Sequence, residues 1–398
     1  MPAQIIRQHD QLRKRAANRY AILRALHFEG ALQRAELSRR LGIRKTSVTN
    51  ITAELIEMGW VNEDAPDSFR SPLSLNEKGP YALVARLGIG QIETARVRLD
   101  GQVESIQRVS FAPNALSEHI LQLIEKSLSA QIGRGRKHIL GIGFADMGIV
   151  DPRAGVTRVA VNLQHWQNIP VRQRLEKTLG LGVRVDNDVR SQLWASAWFD
   201  RQLRECKNML YVGLLDEGLG GALIMNGQIV VGRTFGAGEF GHVRAGREGR
   251  VCSCGKLDCL ETYCSISAIE QEIAQNVPGR KIQGAEAIAK TALDDAKILK
   301  ILDSVVARLA EVVSHSLATL DPDALVLGTP SPMLSSIFAE LLHKHLQLEM
   351  GSLATRDVRL ILTGADNRAT LAGIGGMVID QCFRDGEKEM RCGGSDIS

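Results

Sequence analysis

His242, Cys252, Cys254 and Cys259 stand in one short segment with the spacing H-x9-C-x-C-x4-C, and Gly255 lies inside the last loop. Soft nitrogen and sulfur donors gathered this tightly suit a tetrahedral Zn2+ ion. All four positions are filled by protein, which is the pattern of a structural site; a catalytic zinc keeps one position open. Without metal, the same segment would be a group of reduced thiols beside an unrelated histidine. Two carboxylates flank the cluster, Glu239 three residues before His242 and Glu261 two after Cys259. A metal clip that fixes the loop also fixes these acids, and rigidly held carboxylates are natural acceptors for sugar hydroxyls. Cys206, Cys264, Cys382 and Cys392 are scattered and read as packing or exposed thiols.

A second concentration of chemistry lies at the N-terminus. The net charge of +4 is unremarkable until it is located. Residues 1–80 hold 13 Lys and Arg against 9 Asp and Glu, and the remaining chain has 36 of each. Its densest part runs through Arg13, Lys14, Arg15 and Arg19, then Arg34, Arg39, Arg40, Arg44 and Lys45. A basic module on a neutral body suggests a polyanionic partner, although a solvated helix face would give the same pattern.

These residues need elements to position them. Residues 18–30 have a helical periodicity, with Ile22, Leu23, Leu26 and Phe28 apolar and Gly30 as terminator. In 34–61, Leu37 and Leu41 precede the breaker Gly42, and Val48, Ile51 and Leu55 follow. Two short helices around a Gly-containing turn make a helix-turn-helix. Residues 61–76 hold two β-like pieces around DAPDSFRSP and read as a wing. From Tyr81 the pattern becomes α/β. Two β-rich runs are joined by Gly88 and Gly90, with a turn at Asp100-Gly101. Strands are expected near 138–145, 182–186, 208–215, 221–225, 324–328 and 358–362. Helices are expected near 116–131, 170–180, 188–199, 265–275 and 297–320. The tail 386–398 reads as frayed. No apolar run approaches the roughly 18–20 residues of a membrane span. The N-terminus lacks the apolar stretch of a signal peptide, so a cytoplasmic location without membrane contact is expected.

Glu239-Phe240-Gly241-His242 followed by CSCGKLDCLE (252–261) closely resembles the E-x-G-H and C-x-C-G-x-x-G-C-L-E signatures of the ROK family of repressors, open reading frames and sugar kinases. Asp258 replaces the usual Gly of the second motif. Residues 17–78 look like the winged helix of the family's repressors. VDNDVRSQLWA (185–195) is similar to the family's E-N-D-A stretch, with Asp186 in place of Glu, and LDPDALVLG (320–328) and LAGIGGMVI (371–379) match its C-terminal lobe. The resemblance implies an α/β protein. A winged helix-turn-helix over 1–78 precedes a two-lobed, actin-like (ribonuclease-H-like) ATPase-fold domain over 79–398. By the same resemblance a sugar or sugar phosphate settles between the lobes on Asn162, Asn187, Asp188, Glu239, His242 and Glu261. Asp188 stands where kinase members have their general base, and His242 serves zinc and sugar together. A helix N-cap is the plainer role for Asp188.

The resemblance also places a recognition helix from near Lys45 to about Met58. Lys45, Thr46, Ser47, Thr49 and Asn50 would face double-stranded operator DNA, and Arg44 would contact phosphate. Arg70, where the family's wing carries G-R-P, is a candidate for the minor groove. On the nucleotide side the chain departs from the kinases. Their D-x-G-G-T-K turn reads Arg86-Leu87-Gly88-Ile89-Gly90-Gln91 here. Their G-T-G-x-G-G-G turn reads Asp216-Glu217-Gly218-Leu219-Gly220-Gly221-Ala222, and their third glycine turn reads Gly328-Thr329-Pro330. A cation cannot ligate magnesium, and two carboxylates repel phosphates. The expectation is a homodimeric or homotetrameric sugar-responsive regulator that carries structural Zn2+ and is not an enzyme. The rivals are an active sugar kinase with a DNA-binding head and a regulator that answers to a protein partner instead.

Overall fold

A computed structural model describes residues 3–64, 71–112, 114–215, 218–351 and 358–385. Residues 386–398, read above as a frayed tail, and Arg70 lie outside the described residues. The chain divides into two units. One comprises residues 1–191 with the C-terminal segment from Leu371, and the other residues 192–370.

The first unit opens with α1 (Ala3–Glu29), β1 (Leu32–Gln33), α2 (Arg34–Leu41) and α3 (Lys45–Glu57). Helix α1 begins well before the expected residue 18. No Gly or Pro interrupts residues 3–29, and helix-favouring Gln, Arg, Leu, Lys and Ala fill them. The apolar residues that mark the helix in the sequence, Ile22, Leu23, Leu26 and Phe28, are buried and lie in its C-terminal half. Gly42 caps α2 in the left-handed conformation at φ +64°, where a Cβ would be strained. Val48, Ile51 and Leu55 bury one side of α3. Strands β2 (Val61–Glu63) and β3 (Pro72–Leu75) pair antiparallel as the wing, with β1 on the other edge of β3.

The body of this unit contains β4 (Tyr81–Gly88), β5 (Gln91–Arg98), β6 (Val103–Ser110), α4 (Ser117–Ile132) and β7 (Ile139–Asp146). A small sheet of β8 (Ile149–Asp151), β9 (Val156–Val159) and β10 (Gln167–Ile169) follows. Next come α5 (Val171–Leu179), β11 (Val183–Asn187) and α6 (Asp188–Phe199), which starts in this unit and passes into the second after Ser191. The second unit contains β12 (Met209–Leu215), β13 (Gly218–Met225), β14 (Gln228–Ile229), α7 (Glu261–Cys264), α8 (Ile266–Asn276), α9 (Ala285–Asp294), α10 (Ala296–Leu320), β15 (Ala324–Thr329), α11 (Pro332–Met350) and β16 (Arg359–Gly364). Helix α12 (Asn367–Asp385) carries the chain back into the first unit.

The two units repeat one topology. The first sheet has the order β11-β7-β4-β5-β6 and the second β14-β13-β12-β15-β16. Each is an antiparallel run of three strands whose first strand also pairs with a parallel fourth, and the fourth with a parallel fifth. This doubled α/β order is the expected ribonuclease-H-like architecture. Strand β7 is buried at all eight positions, as a central strand covered on both faces must be. Phe144, Trp166, Leu175 and Val185 anchor the first core, and Leu309, Val313, Leu325 and Phe338 the second. Among the described residues, no helix is long and apolar enough to cross a membrane.

Candidate functional site

Parallel strands deliver their C-terminal ends to one edge of a sheet, where open α/β proteins place ligands. In the first unit that edge is set by register. Arg86 of β4 lies beside Ala145 of β7, Leu87 beside Asp146, and Asn187 of β11 beside Asp146. Asp188 follows immediately and starts α6. Its expected capping role falls to its neighbour. The Asn187 side-chain oxygen accepts from the N–H groups of Val189 (2.9 Å) and Arg190 (3.1 Å), and its amide donates to the Gly148 carbonyl at 3.0 Å. Asn187 is thus engaged within the protein. The Oδ1 of Asp188 accepts from Val189 N–H at 2.8 Å.

Burial pushes the Asp188 carboxyl up to about 6, against the opposing pull of the Arg86 guanidinium. The nearby Asp146 adds to the rise. Asp146 is fully buried and accepts from Gly148 N–H (2.9 Å), the Thr157 hydroxyl (2.6 Å) and the Trp166 indole (2.7 Å). Burial raises its pKa as well. Sequence reasoning missed Asp146; a lone acid at a strand end before Gly carries no motif. Asn162 is exposed on the turn that follows β9.

Arg86 also shapes the turn between β4 and β5. A Cβ on Gly88 would lie 2.7 Å from an Arg86 guanidinium nitrogen, so the cation is folded back over this turn. Buried Glu93 holds it at 3.5 Å and takes Arg108 at 2.8 Å. Of the other two departures from the kinase pattern, Asp216 and Glu217 lie outside the described residues. Thr329 is buried, with its hydroxyl 2.6 Å from the Ser331 carbonyl and 2.7 Å from the Ser335 hydroxyl.

In the second unit, the loop between β14 and α7 brings the metal-type donors together. One donor atom from each of His242, Cys252, Cys254 and Cys259 lies within 4.8 Å of all the others, a set that could hold a metal ion. The His242 Nδ1–Cys252 Sγ distance is 3.5 Å, and Cys254 Sγ lies 3.7 Å from Cys259 Sγ. Bond lengths of about 2.0–2.3 Å in a tetrahedron require edges of about 3.5–3.8 Å, so the donors fit zinc in spacing and type. Nδ1 faces the thiols and Nε2 faces Glu239, whose carboxylate lies 3.8 Å away. Glu261 Oε1 stands 3.0 Å from Cys252 Sγ and 3.3 Å from the Ser253 hydroxyl. Glu261 also lines a polar cavity of about 680 Å³ with Ser253, Thr262, Ser265 and Gln271. Gly241 lets the loop lie on β13, because a Cβ there would fall 2.0 Å from the Leu219 carbonyl oxygen.

Asp258, the departure from the family's second motif, occupies the left-handed region at φ +61°. Its carboxylate accepts from Gly249 N–H (2.8 Å), Arg250 N–H (3.0 Å) and the Tyr263 hydroxyl (2.7 Å). It therefore ties the front of the metal loop to α7, which a glycine could not do. The substitution is visible in the sequence, but its partners are not.

At the start of α3, Arg44, Lys45, Thr46 and Asn50 are exposed, and Ser47 and Thr49 are half-buried. Arg44 is the residue preceding α3 and makes no side-chain cap bond. Thr49 spends its hydroxyl on the Lys45 carbonyl at 3.0 Å. Other cations of the basic segment are consumed internally. Arg34 pairs with Glu63, and Arg40 with Glu29 and Glu36.

The head is fastened to α12 within the same unit. The Tyr20 hydroxyl donates to Asp380 at 3.1 Å, and Arg384 binds Asp380 at 2.9 Å while its guanidinium lies 4.8 Å from the Tyr20 ring centre. Trp60 packs on Phe383 with ring centres 5.7 Å apart.

The chain is similar to several known proteins. Residues 83–381 match the ROK family profile, and residues 16–68 match the MarR family. The chain is 24% identical over 383 residues to a xylose repressor of Caldicellulosiruptor bescii, covering 91% of this chain and 95% of that protein. It is 26% identical over 335 residues to the transcriptional dual regulator NagC of Escherichia coli, covering 80% and 79%. A solved ROK family transcriptional regulator, a homologue of the E. coli MLC protein, superposes with a TM-score of 0.78 at 21% identity, over 96% of this chain and 99% of that one. A ROK glucokinase of Streptomyces griseus, solved with glucose and AMPPNP, superposes at 0.63 with 22% identity, over 75% and 98%. With the profile spanning well over half of its length and a winged helix ahead of it, this chain belongs to the ROK family.

Proposed function

We propose that this protein is a sugar-responsive transcriptional regulator, a repressor of carbohydrate-utilisation genes. Its winged helix over residues 1–78 binds operator DNA, and its kinase-type body senses a sugar or sugar phosphate without ATP. One observation carries the reading: the winged helix is joined to a body whose first phosphate turn is covered by its own Arg86. Arg44, Lys45, Thr46, Ser47, Thr49 and Asn50 meet the DNA, with Arg70 of the wing as a further contact. The names of the relatives, a xylose repressor and a DNA-binding transcriptional dual regulator, support this assignment. On the family resemblance, the sugar is read by Asp188, Asn187 and Asn162 and by Glu239, His242 and Glu261. Zn2+ on His242, Cys252, Cys254 and Cys259 would hold the last three in place. The protein acts as a symmetric homo-oligomer, matching the symmetry of paired half-sites on DNA.

A contiguous route inside the first unit supports coupling between sugar and DNA. Helix α6 begins at Asp188 and packs backbone to backbone on α12 at Ser191 and Gly373. The far end of α12 holds Tyr20 and Trp60 of the head. A coupling of about 1–3 kcal/mol along this route changes operator occupancy roughly 5- to 150-fold. The test is release of operator DNA by a panel of sugars and sugar phosphates, with ATP turnover measured alongside. Sugar-dependent ADP formation would favour the kinase reading instead. A panel in which no sugar alters DNA binding or thermal stability would favour control by a protein partner.

A further inference from the structure

We propose a second ligand site in the unit of residues 192–370, for a small organic anion with one oxyanion head on a compact apolar skeleton. A cavity of about 360 Å³ opens where α8 and the first turns of α10 meet Tyr263. Its floor is apolar, with Val277 and Val305 buried and Ile301 partly so. Its rim is cationic, formed by Arg250, Arg308, Lys297 and Lys300.

The placement of these cations is the unusual feature. A helix N-terminus is positive and favours acids. Helix α10 has no acid in its first turn, and its early residues Lys297 and Lys300 line the cavity instead. Asp295 caps the helix by accepting from Lys297 N–H at 3.0 Å and pairs with Arg280. Two carboxylates face the arginines. Glu272 binds Arg250 at 2.7 Å, and Glu248 reaches both Arg250 and Arg308. Among the described residues, neither lysine side chain has an ion-pair partner. Four cations therefore face two carboxylates around an apolar floor, an arrangement that an oxyanion with an apolar body would neutralise and fill. The arginines are pre-organised, because both guanidiniums stack on Tyr263 with 4.3 Å to the ring centre.

The site has a route to the sugar-type residues of its own unit. Arg250 and Glu272 also line the polar cavity that contains Glu261. Arg250 donates to the Thr262 carbonyl at 3.1 Å, one residue from Glu261, and its backbone N–H is held by Asp258 of the metal loop. An anion that draws Arg250 away from Glu272 is felt at Glu261. The site would thus carry a second chemical signal, separate from the sugar.

The probe is phenyl phosphate, titrated calorimetrically into the intact protein beside its two halves, phenol and inorganic phosphate. Saturable binding of phenyl phosphate, tighter than either half, is expected. The surface variant Lys297→Glu/Lys300→Glu should weaken it at least tenfold with no loss of melting temperature, and Lys297→Gln/Lys300→Gln should fall between. Asp188→Ala should leave it unchanged, which separates this site from the sugar residues. The proposal is overturned by the absence of saturable binding, by equal affinity in the charge-reversed protein, by equal affinity for inorganic phosphate alone, or by loss of binding in Asp188→Ala.

Discussion

Gly373 of α12 lies flat against Ser191 of α6, so closely that a Cβ on it would fall 1.7 Å from the Ser191 carbonyl oxygen. The two helix backbones touch here with nothing between them, one turn from Asp188. Gly373→Ala must push the helices apart. Overpacking of this kind costs roughly 1–3 kcal/mol. The expected outcome is a lowered melting temperature and a reduced sugar effect on DNA affinity, with DNA affinity in the absence of sugar largely kept. Sugar-induced release that matches the unaltered protein would remove this contact from the coupling route.

At the other end of α12, Tyr20→Phe deletes one hydroxyl and leaves the Asp380–Arg384 pair in place. Loss of a single hydrogen bond predicts about 0.5–1.5 kcal/mol of stability. The sugar response should weaken by more than the stability does. Comparing denaturation midpoints with operator titrations at fixed sugar distinguishes coupling from simple packing.

Asp188 makes the protein sensitive to pH in a particular direction. Its folded pKa of about 6 lies above the ordinary 3.8, so the folded state holds more protons between these values. Unfolding free energy should therefore fall as pH rises through this window, by roughly 1–3 kcal/mol in total. Asp188→Asn should flatten that part of the profile and raise stability at pH 7.5. It should also blunt the sugar response, since it replaces a hydroxyl acceptor. Urea denaturation across pH 4–8 checks the first claim, and sugar-induced release from DNA the second.

Metal ligands and sugar-type acids should fail differently. Cys254→Ser should lose zinc, thermal stability and sugar response together, because metal bound to a folded site contributes to folding. Glu261→Ala should keep zinc and operator binding but lose the response. Metal content by atomic absorption, read beside melting temperature, separates the two. Absence of zinc from the unaltered protein, with full stability in Cys254→Ser, would leave the cluster as thiols only.

For DNA, Arg44→Ala should weaken binding to all sequences about equally and flatten the salt dependence. Asn50→Ala should cost roughly 1–3 kcal/mol on the operator and relax base preference. Affinities at several salt concentrations on specific and scrambled duplexes check both. Equal salt slopes for Arg44→Ala and the unaltered protein would place Arg44 off the DNA.

Much of this organisation is legible in the residue order. Strand ends near Asp146, Asn187, Leu215 and Thr329 lie within a few residues of where apolar runs meet turn residues, because buried strands must be continuous in apolar character. The metal cluster is legible because its ligands are close along the chain. What distant segments supply is not legible. Nothing at Tyr20 announces Asp380, 360 positions away. Asp258 reads as a lost glycine until its three donors are seen, and Arg86 reads as a lost magnesium ligand until its guanidinium is found over Gly88. The early start of α1 escapes detection because residues 3–17 hold few apolar residues to mark a helical face.

The position of Arg86 over its own turn bears on what kind of information this protein processes. A kinase body ordinarily closes on two ligands, and its state reports both sugar and nucleotide supply. With the Arg86 side chain folded over the β4–β5 turn, the proposed function leaves the nucleotide input unused. On the proposed function, the regulator follows the abundance of its sugar and is indifferent to the energy charge of the cell, so induction should proceed equally in starved and well-fed cultures given the same inducer.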